Sequence, residues 1–439
     1  MADRIPEPVE AKKYLSRKTI VETERWDELK HGEHAHAFTV AHSRDANVLN
    51  DIFGLLNTAL AEGKSFNSFK SEMKDLMIEK HWYGKKDEEG KGYNDNKEYA
   101  TWRTKMIYHT NMRTAYAAAR YRQQVRGAAM RPIWQYISKL VGGSRRDDHI
   151  ALHDKAFRWD DPFWNENYPP NGWGCECLVA ALSEAEAERE GVEVLETDSN
   201  GNPPNLIDKN GNAVDWNEFA TPEWQYNVGR EALAPNFANF KNLSPDALHT
   251  VMRNYNQSMN GTVLPKEEWL VIAQRANEMN YKPTNTILQI GNLNEKDYLK
   301  VQAATGIFDS KVMATDHDLW HSMGHKQLRI QNAKDRSEPQ DAIQRLINQA
   351  VDVKDFDAVY KTYSSPENIF YQKIENKKKN ETEIFLHFTK SMSNSRTLRI
   401  IFRTRETATK KNNSAMQLVT MEVVDNREYL DGRYTQINK

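Results

Sequence analysis

Along the first 130 residues the apolar positions recur every three or four residues, the spacing of an amphipathic helix. In RDANVLNDIFGLLNTALAEG, Val48, Leu49, Ile52, Phe53, Leu56 and Leu60 fall at helical spacing. Asp45 is placed to accept the first orphan backbone N–H groups. Gly63 fits the left-handed position just past the end. A second helical run, NKEYATWRTKMIYHTNMRTAYAAARYRQQV, is rich in Ala and Arg and carries a Thr110–Asn111 step near its middle. RPIWQYISKLVGG is short, aromatic and bounded by Pro and a Gly pair, which predicts a strand leading into a turn. LSEAEAEREGVEV predicts an acidic helix.

From ILQIG onward the period changes. A short strand-like run precedes helical segments around DHDLWHSMGHK and PQDAIQRLINQAV. Four stretches with strand character follow: NIFYQKI, EIFLHFTK, TLRIIFRTRE and MQLVTMEVVD. Helices first and several antiparallel strands later is the pattern of a small α+β domain. The expected organisation is therefore multidomain. A mostly α module spans residues 1–240, with a small β-containing region around its Cys and His residues. A linker at 241–285 leads to an α+β domain with an antiparallel sheet over 286–439.

Composition narrows the class. At 439 residues the chain is long enough for two or three domains, and 39% hydrophobic with 28% charged residues describes a soluble globular protein. A net charge of −2 does not advertise nucleic-acid or membrane binding, but Lys and Arg outnumber Asp and Glu by 14 to 8 from residue 371 onward. No segment is long and apolar enough to cross a bilayer, and MADRIPEPVEAKKYLSRKTI lacks the apolar core of a secretion signal. Two cysteines build no disulfide framework, so cytosolic synthesis is expected. Two further patterns carry no chemistry. The D-x-N-G-N units at Asp198 and Asp208 end at Lys209 and Phe219 where a calcium loop needs its bidentate glutamate, and Thr58 stands where a phosphate loop needs glycine.

Both cysteines end the segment HIALHDKAFRWDDPFWNENYPPNGWGCEC. His149 and His153, four residues apart, would share one helix face, and with Cys175 and Cys177 they make the four borderline-soft ligands of a closed structural Zn²⁺ site. C-x-C is a less usual spacing, because in an extended strand the two thiols face opposite ways; Gly172 and Gly174 offer a turn that relieves this. The alternative is a buried cluster of thiols and hydrogen-bonded imidazoles among Phe157, Trp159, Phe163, Trp164 and Trp173. A Cys–His nucleophile pair is the weakest reading, since no oxyanion hole or orienting carboxylate accompanies it.

The segment SRRDDHIALHDKAFRWDDPFWNENYPPNGWGCEC, with its signature at 145–177, resembles the phage head morphogenesis (Mu F-like) family. AKKYLSRK, EHAHAFTVAHS, YHTNMRTAYAAAR and TPEWQYNVGREAL extend the resemblance over about residues 7–235. It implies a minor capsid protein present in a few copies, made in the bacterial host cytoplasm and associated with the portal and the inside of the procapsid. The chain departs from the family pattern twice. Asp154 stands where glycine is usual, and Glu176 where arginine usually separates the cysteines.

In the last domain, DHDLWHSMGHK sets His317, His321 and His325 at successive i, i+4 steps. HDLWH imitates a zinc-protease motif only loosely, because Asp318 occupies the place of the glutamate base. Packing or surface histidines are the bland alternative. The sharper reading is a metal-free ribonuclease, which needs a base on the 2′-OH, an acid on the leaving oxygen, and cations and hydroxyls around the phosphorane. Lys373, Arg399, Arg403 and Arg405 supply cations; Tyr371, Thr404 and Thr420 supply hydroxyls. The pieces ILQIGNLN, LWHSMGH, YSSPENIFYQKI and QLVTMEV also resemble phage-borne nuclease domains of the barnase–EndoU–colicin–RelE-like fold. That resemblance implies a toxin-like ribonuclease acting on RNA, with His321 and His325 on the helix and Lys373, Arg403 and Thr420 on strands. A purely structural head protein, whose last domain binds a partner or DNA without catalysis, is the competing expectation.

Overall fold

The computed structural model describes residues 8–25, 27–43, 45–80, 97–140, 146–198, 202–221, 223–278, 280–307, 309–376, 381–392, 396–407, 415–425 and 434–437. The chain divides into two compact units, Met1–Pro235 with Asn239–Ser258, and Asn236–Ala238 with Met259–Lys439. The stretch read as a linker holds two helices, Pro245–Met259 and Lys266–Ala276, and the division falls at the end of the first, between Ser258 and Met259.

In the first unit the helix Ala46–Glu62 forms as its pattern predicts. The Asp45 carboxylate accepts the Asn47 and Val48 N–H groups, and Gly63 ends the helix at φ +65°. Val48, Leu49, Ile52, Leu56 and Leu60 are buried, while Phe53 packs on the core from its edge. Each full burial of such a side chain contributes about 1.5–3 kcal/mol of transfer free energy. They meet Phe69, Met73 and Met77 of the helix Phe66–Glu79, and Ile107, Met112 and Ala115 of the helix Lys97–Arg126. That helix runs unbroken through Thr110–Asn111, where Asn111 Nδ2 donates to the Ile107 carbonyl and the Thr114 hydroxyl to the Thr110 carbonyl.

A two-stranded parallel pair, β1 (Thr19–Ile20) and β2 (Ala37–Phe38), flanks this core. The strand expected in RPIWQYISK is β3 (Ile133–Ile137), paired antiparallel with β4 (Ala156–Arg158) and β5 (Leu178–Leu182). With β6 (Val194–Leu195) the order is β5-β3-β4-β6. The acidic helix Glu184–Glu190 opens on a reciprocal capping box between Ser183 and Glu186.

The second unit is built on a seven-stranded sheet. Its strands are β7 (Ile287–Asn292), β8 (Lys311–Thr315), β9 (Asn368–Asn376), β10 (Glu381–Ser391), β11 (Arg396–Thr407), β12 (Met416–Asp425) and β13 (Thr435–Gln436). The order is β13-β9-β10-β11-β12-β8-β7, antiparallel except where β12 meets β8. Side chains alternate across it. Leu386, Phe388, Leu398, Ile400, Phe402, Leu418 and Met421 form one buried face, and the helix Phe356–Ser364 packs against β10 and β11.

Candidate metal centre and histidine helix

The helix Asp147–Ala151 presents His149 to the loop that carries the cysteines. His149 is buried against the Phe219 ring, centroids 4.6 Å apart, and its Nε2–H donates to the Phe219 carbonyl at 3.1 Å. That bond fixes the tautomer and turns the Nδ1 lone pair toward the thiols. Nδ1 lies 3.5 Å from Cys177 Sγ and 3.8 Å from Cys175 Sγ, and the three atoms all fall within 4.8 Å of one another. Zinc bonds of usual length at tetrahedral angles would hold N and S about 3.5–3.6 Å apart. The donor set therefore fits a metal ion with little movement.

The loop achieves what an extended C-x-C cannot. Gly174 sits at φ +73°, and the strand begins only at Leu178, so Cys175 and Cys177 turn to the same side. At Gly172 a Cβ would overlap the Arg146 guanidinium, which donates to the Asn171 carbonyl. Between the cysteines, Glu176 reaches both Arg113 and Lys139, so its carboxylate is neutralised from two sides. The two thiols lie within 4.8 Å of each other. Their mutual hydrogen bond holds the Cys177 thiol well below its usual range, helped by His149, and pushes Cys175 up.

His153 stands outside this set. The helix stops at Ala151, so the i, i+4 relationship with His149 is not realised, and His153 Nδ1 instead accepts the Ser138 N–H at 3.1 Å. The next residue, Asp154, adopts φ +65°, a left-handed conformation that aspartate tolerates better than most. Of the signature, Arg145 lies outside the described residues.

In the second unit the histidine helix starts from a buried carboxylate. Asp316 accepts from the Tyr281 hydroxyl, the Thr284 N–H and hydroxyl, and the Thr286 N–H, at 2.6–3.0 Å. His317, His321 and His325 follow, with neighbouring centroids 6.4 and 5.4 Å apart; the helix breaks at Met323 and resumes at Gly324. Partial burial lowers the His321 pKa, and His325 and His317 add to the effect. The pair of segments is pinned to β12: Ser322 Oγ accepts the Met421 N–H at 3.1 Å, and Lys326 Nζ donates to the Met421 carbonyl at 2.5 Å.

Thr420 is next to that anchor and opposite Ile401, on the same sheet face as Arg399 and Arg403. Lys373 is not on that face. It pairs across from Ile384, a buried position of the opposite face, whereas Arg403 pairs with Phe385. Tyr371 shares the Lys373 face, opposite Leu386. Thr404 lies on the buried face with Phe402 and Ile384. The side chain of Arg405 lies outside the described residues. Arg399 is bound to Glu422 at 2.8 Å, and Arg403 approaches Glu383 at 3.9 Å.

Sequence reasoning missed three groups near this face. Lys326, the residue after the last histidine of the run, is pushed down to about 8 by burial, with Glu422 opposing and Arg399 adding to the shift. His387, opposite Ile401, is lowered to about 4 by burial and Arg399, and lies against the Tyr434 ring. Glu422 alternates with Thr420 along β12, a signal the strand period could have yielded.

The family match falls within the first unit. Residues 50–180 match the family described as Phage Mu protein F like protein. Two curated relatives carry the likeness further. The Mu-like prophage FluMu F protein of Haemophilus influenzae is 40% identical over 178 residues, which is 40% of this chain and 42% of the relative. A protein of Escherichia phage Mu named "Putative capsid assembly protein F" is 37% identical over 196 residues, 44% of each chain. The chain thus spans less than half the length of the curated relatives it matches. No solved structure matches it.

Proposed function

We propose that this protein is a phage head assembly protein. The observation that carries the reading is a coincidence of sequence and site. The stretch similar to F-like proteins, residues 50–180, contains the helix Lys97–Arg126, most of the sheet around β3, and the whole His149–Cys175–Cys177 cluster. The first unit then joins other capsid proteins, the portal among them, in the host cytoplasm, and remains in the virion. Among the described residues no helix is long and apolar enough to cross a membrane. A gradient of procapsids assembled with this protein tests the reading. The protein should sediment with the shells when the portal is present and stay at the top when the portal is omitted; remaining at the top in both cases overturns it.

His149 Nδ1, Cys175 Sγ and Cys177 Sγ would hold a Zn²⁺ in this cluster. Bound there, the ion ties the 171–177 loop to the helix Asp147–Ala151 and needs no fourth ligand from His153.

A second activity is favoured by the histidine helix. His321 and His325 lie 5.4 Å apart on a helix pinned beside Thr420, with Arg403 on the same sheet face. This unit acts as a metal-independent endoribonuclease in which the two histidines exchange the acid and base roles. RNA phosphate would compete with Glu422 and Glu383 for the arginines. The full chain should cleave RNA in chelator, and His321→Ala or His325→Ala should abolish cleavage. Folded protein that leaves tRNA and mRNA intact points to the alternative, a last domain that only binds a partner or DNA.

A further inference from the structure

A cavity of about 620 Å³ opens in the first unit beside the helix Lys97–Arg126, and no part of the assembly or nuclease readings uses it. Trp102, Met106, Ile107 and Thr110 form a wall at helical spacing. Phe38 and Val40 line it from β2 and the chain just after it. Trp173 and Trp224 add an edge-to-face pair with centroids 5.2 Å apart. The size and the apolar, aromatic walls are those of a small-molecule site. A void so lined also forfeits dispersion contacts that an occupant would restore.

Two buried donors mark where a polar group would sit. Lys18 is only 7% exposed and lines the cavity. Its ammonium donates one N–H to the His34 carbonyl at 2.8 Å and lies 5.0 Å over the Tyr14 ring, so not all of its three donors are spent on protein acceptors. Trp224 is 5% exposed and lines the same cavity, and its indole N–H has no hydrogen-bond partner among the described residues. Arg103 also lines the space and donates to the Ala41 carbonyl. No Asp or Glu lines it among the described residues. A neutral acceptor would satisfy Trp224, but only an anion also compensates the buried ammonium.

We propose that this cavity binds a small apolar carboxylate, its hydrocarbon or aromatic body between the tryptophans and its carboxylate on Lys18 and the Trp224 N–H. The contrast between octanoate and octanamide tests the assignment on the full chain, read by tryptophan fluorescence and calorimetry. Octanoate binds at least tenfold tighter than octanamide. Lys18→Met removes that preference. Thr110→Trp, which fills the cavity, weakens both probes at least tenfold. Equal affinity of acid and amide for the unaltered protein overturns the proposal, as does the absence of saturable binding. Octanoate binding that ignores Thr110→Trp would mean adsorption elsewhere and overturns it too.

Discussion

His149 Nδ1 faces Cys177 Sγ at 3.5 Å because the other ring nitrogen is held by the Phe219 carbonyl at 3.1 Å. An imidazole that donates through Nε2 leaves Nδ1 as an acceptor, the state a metal requires of it. The protein should therefore carry close to one Zn²⁺ per chain by elemental analysis. Cys177→Ser and His149→Ala should lose the metal and lower Tm by at least about 5 °C, given the free energy that structural zinc contributes to small domains. His153→Ala should keep it. Metal-free protein whose melting is indifferent to chelators would remove the site from consideration.

Asp154 offers a test of backbone strain. At φ +65° an L-residue pays a steric cost that glycine does not, about 1–2 kcal/mol for ordinary side chains and less for aspartate. Asp154→Gly relieves that cost and loses two side-chain contacts, the pair with His153 at 3.4 Å and the hydrogen bond donated by Gln135 Nε2 at 3.4 Å. It should stabilise the first unit by up to about 1 kcal/mol, after the entropy that glycine adds to the unfolded chain. Asp154→Val should destabilise by about 1–2 kcal/mol. Denaturant melts of both variants decide it, and the order Gly above Asp above Val is the expectation at stake.

Asp316 ties residues 281–286 to the start of the histidine helix through four hydrogen bonds. Asp316→Ala leaves the donors of Tyr281, Thr284 and Thr286 unpaired in a buried site, a cost of about 3 kcal/mol or more. Asp316→Asn keeps one acceptor and should cost about half as much. Hydrogen exchange at the Thr284 and Thr286 amides locates the effect. Unchanged protection there in Asp316→Ala would show that the anchor is dispensable.

Local signals in the sequence were sound where short-range physics decides the outcome. Asp45 and Gly63 bound their helix as capping chemistry requires, and the period-two pattern of TLRIIFRTRE put Arg399 and Arg403 on one face. Relations set by tertiary structure were illegible. The stop at Ala151 that separates His149 from His153 leaves no mark in the i, i+4 spacing. The opposite facing of Lys373 and Arg403 depends on register across β10, which a single strand does not encode. Phe219 orients His149 through a backbone carbonyl, a group every residue has, so nothing in the sequence distinguishes it. Lys18 and Trp224 likewise become notable only once burial is known.

Lys18 makes stability depend on pH in a direction opposite to a paired lysine. Burial lowers its pKa from 10.5 to about 7, and Arg17 adds to the shift; Tyr14 and His34 are its other close neighbours. Below pH 7 both folded and unfolded chains carry the proton, and the full cost of burying the charge, a few kcal/mol, is present. Between about pH 7 and 10.5 the unfolded chain binds more protons than the folded one, so stability rises with pH across that window. Above it the group is neutral in both states and contributes nothing. Lys18→Met removes the charge while keeping the length of the side chain, so it should raise Tm most at or below pH 6, and the gain should shrink steadily toward pH 10. A saturating small apolar carboxylate should narrow the gap at pH 6 by pairing with the ammonium in the unaltered protein alone. Melting curves of the two proteins at pH 6, 8 and 10, with and without octanoate, would refute this if the gap were constant with pH.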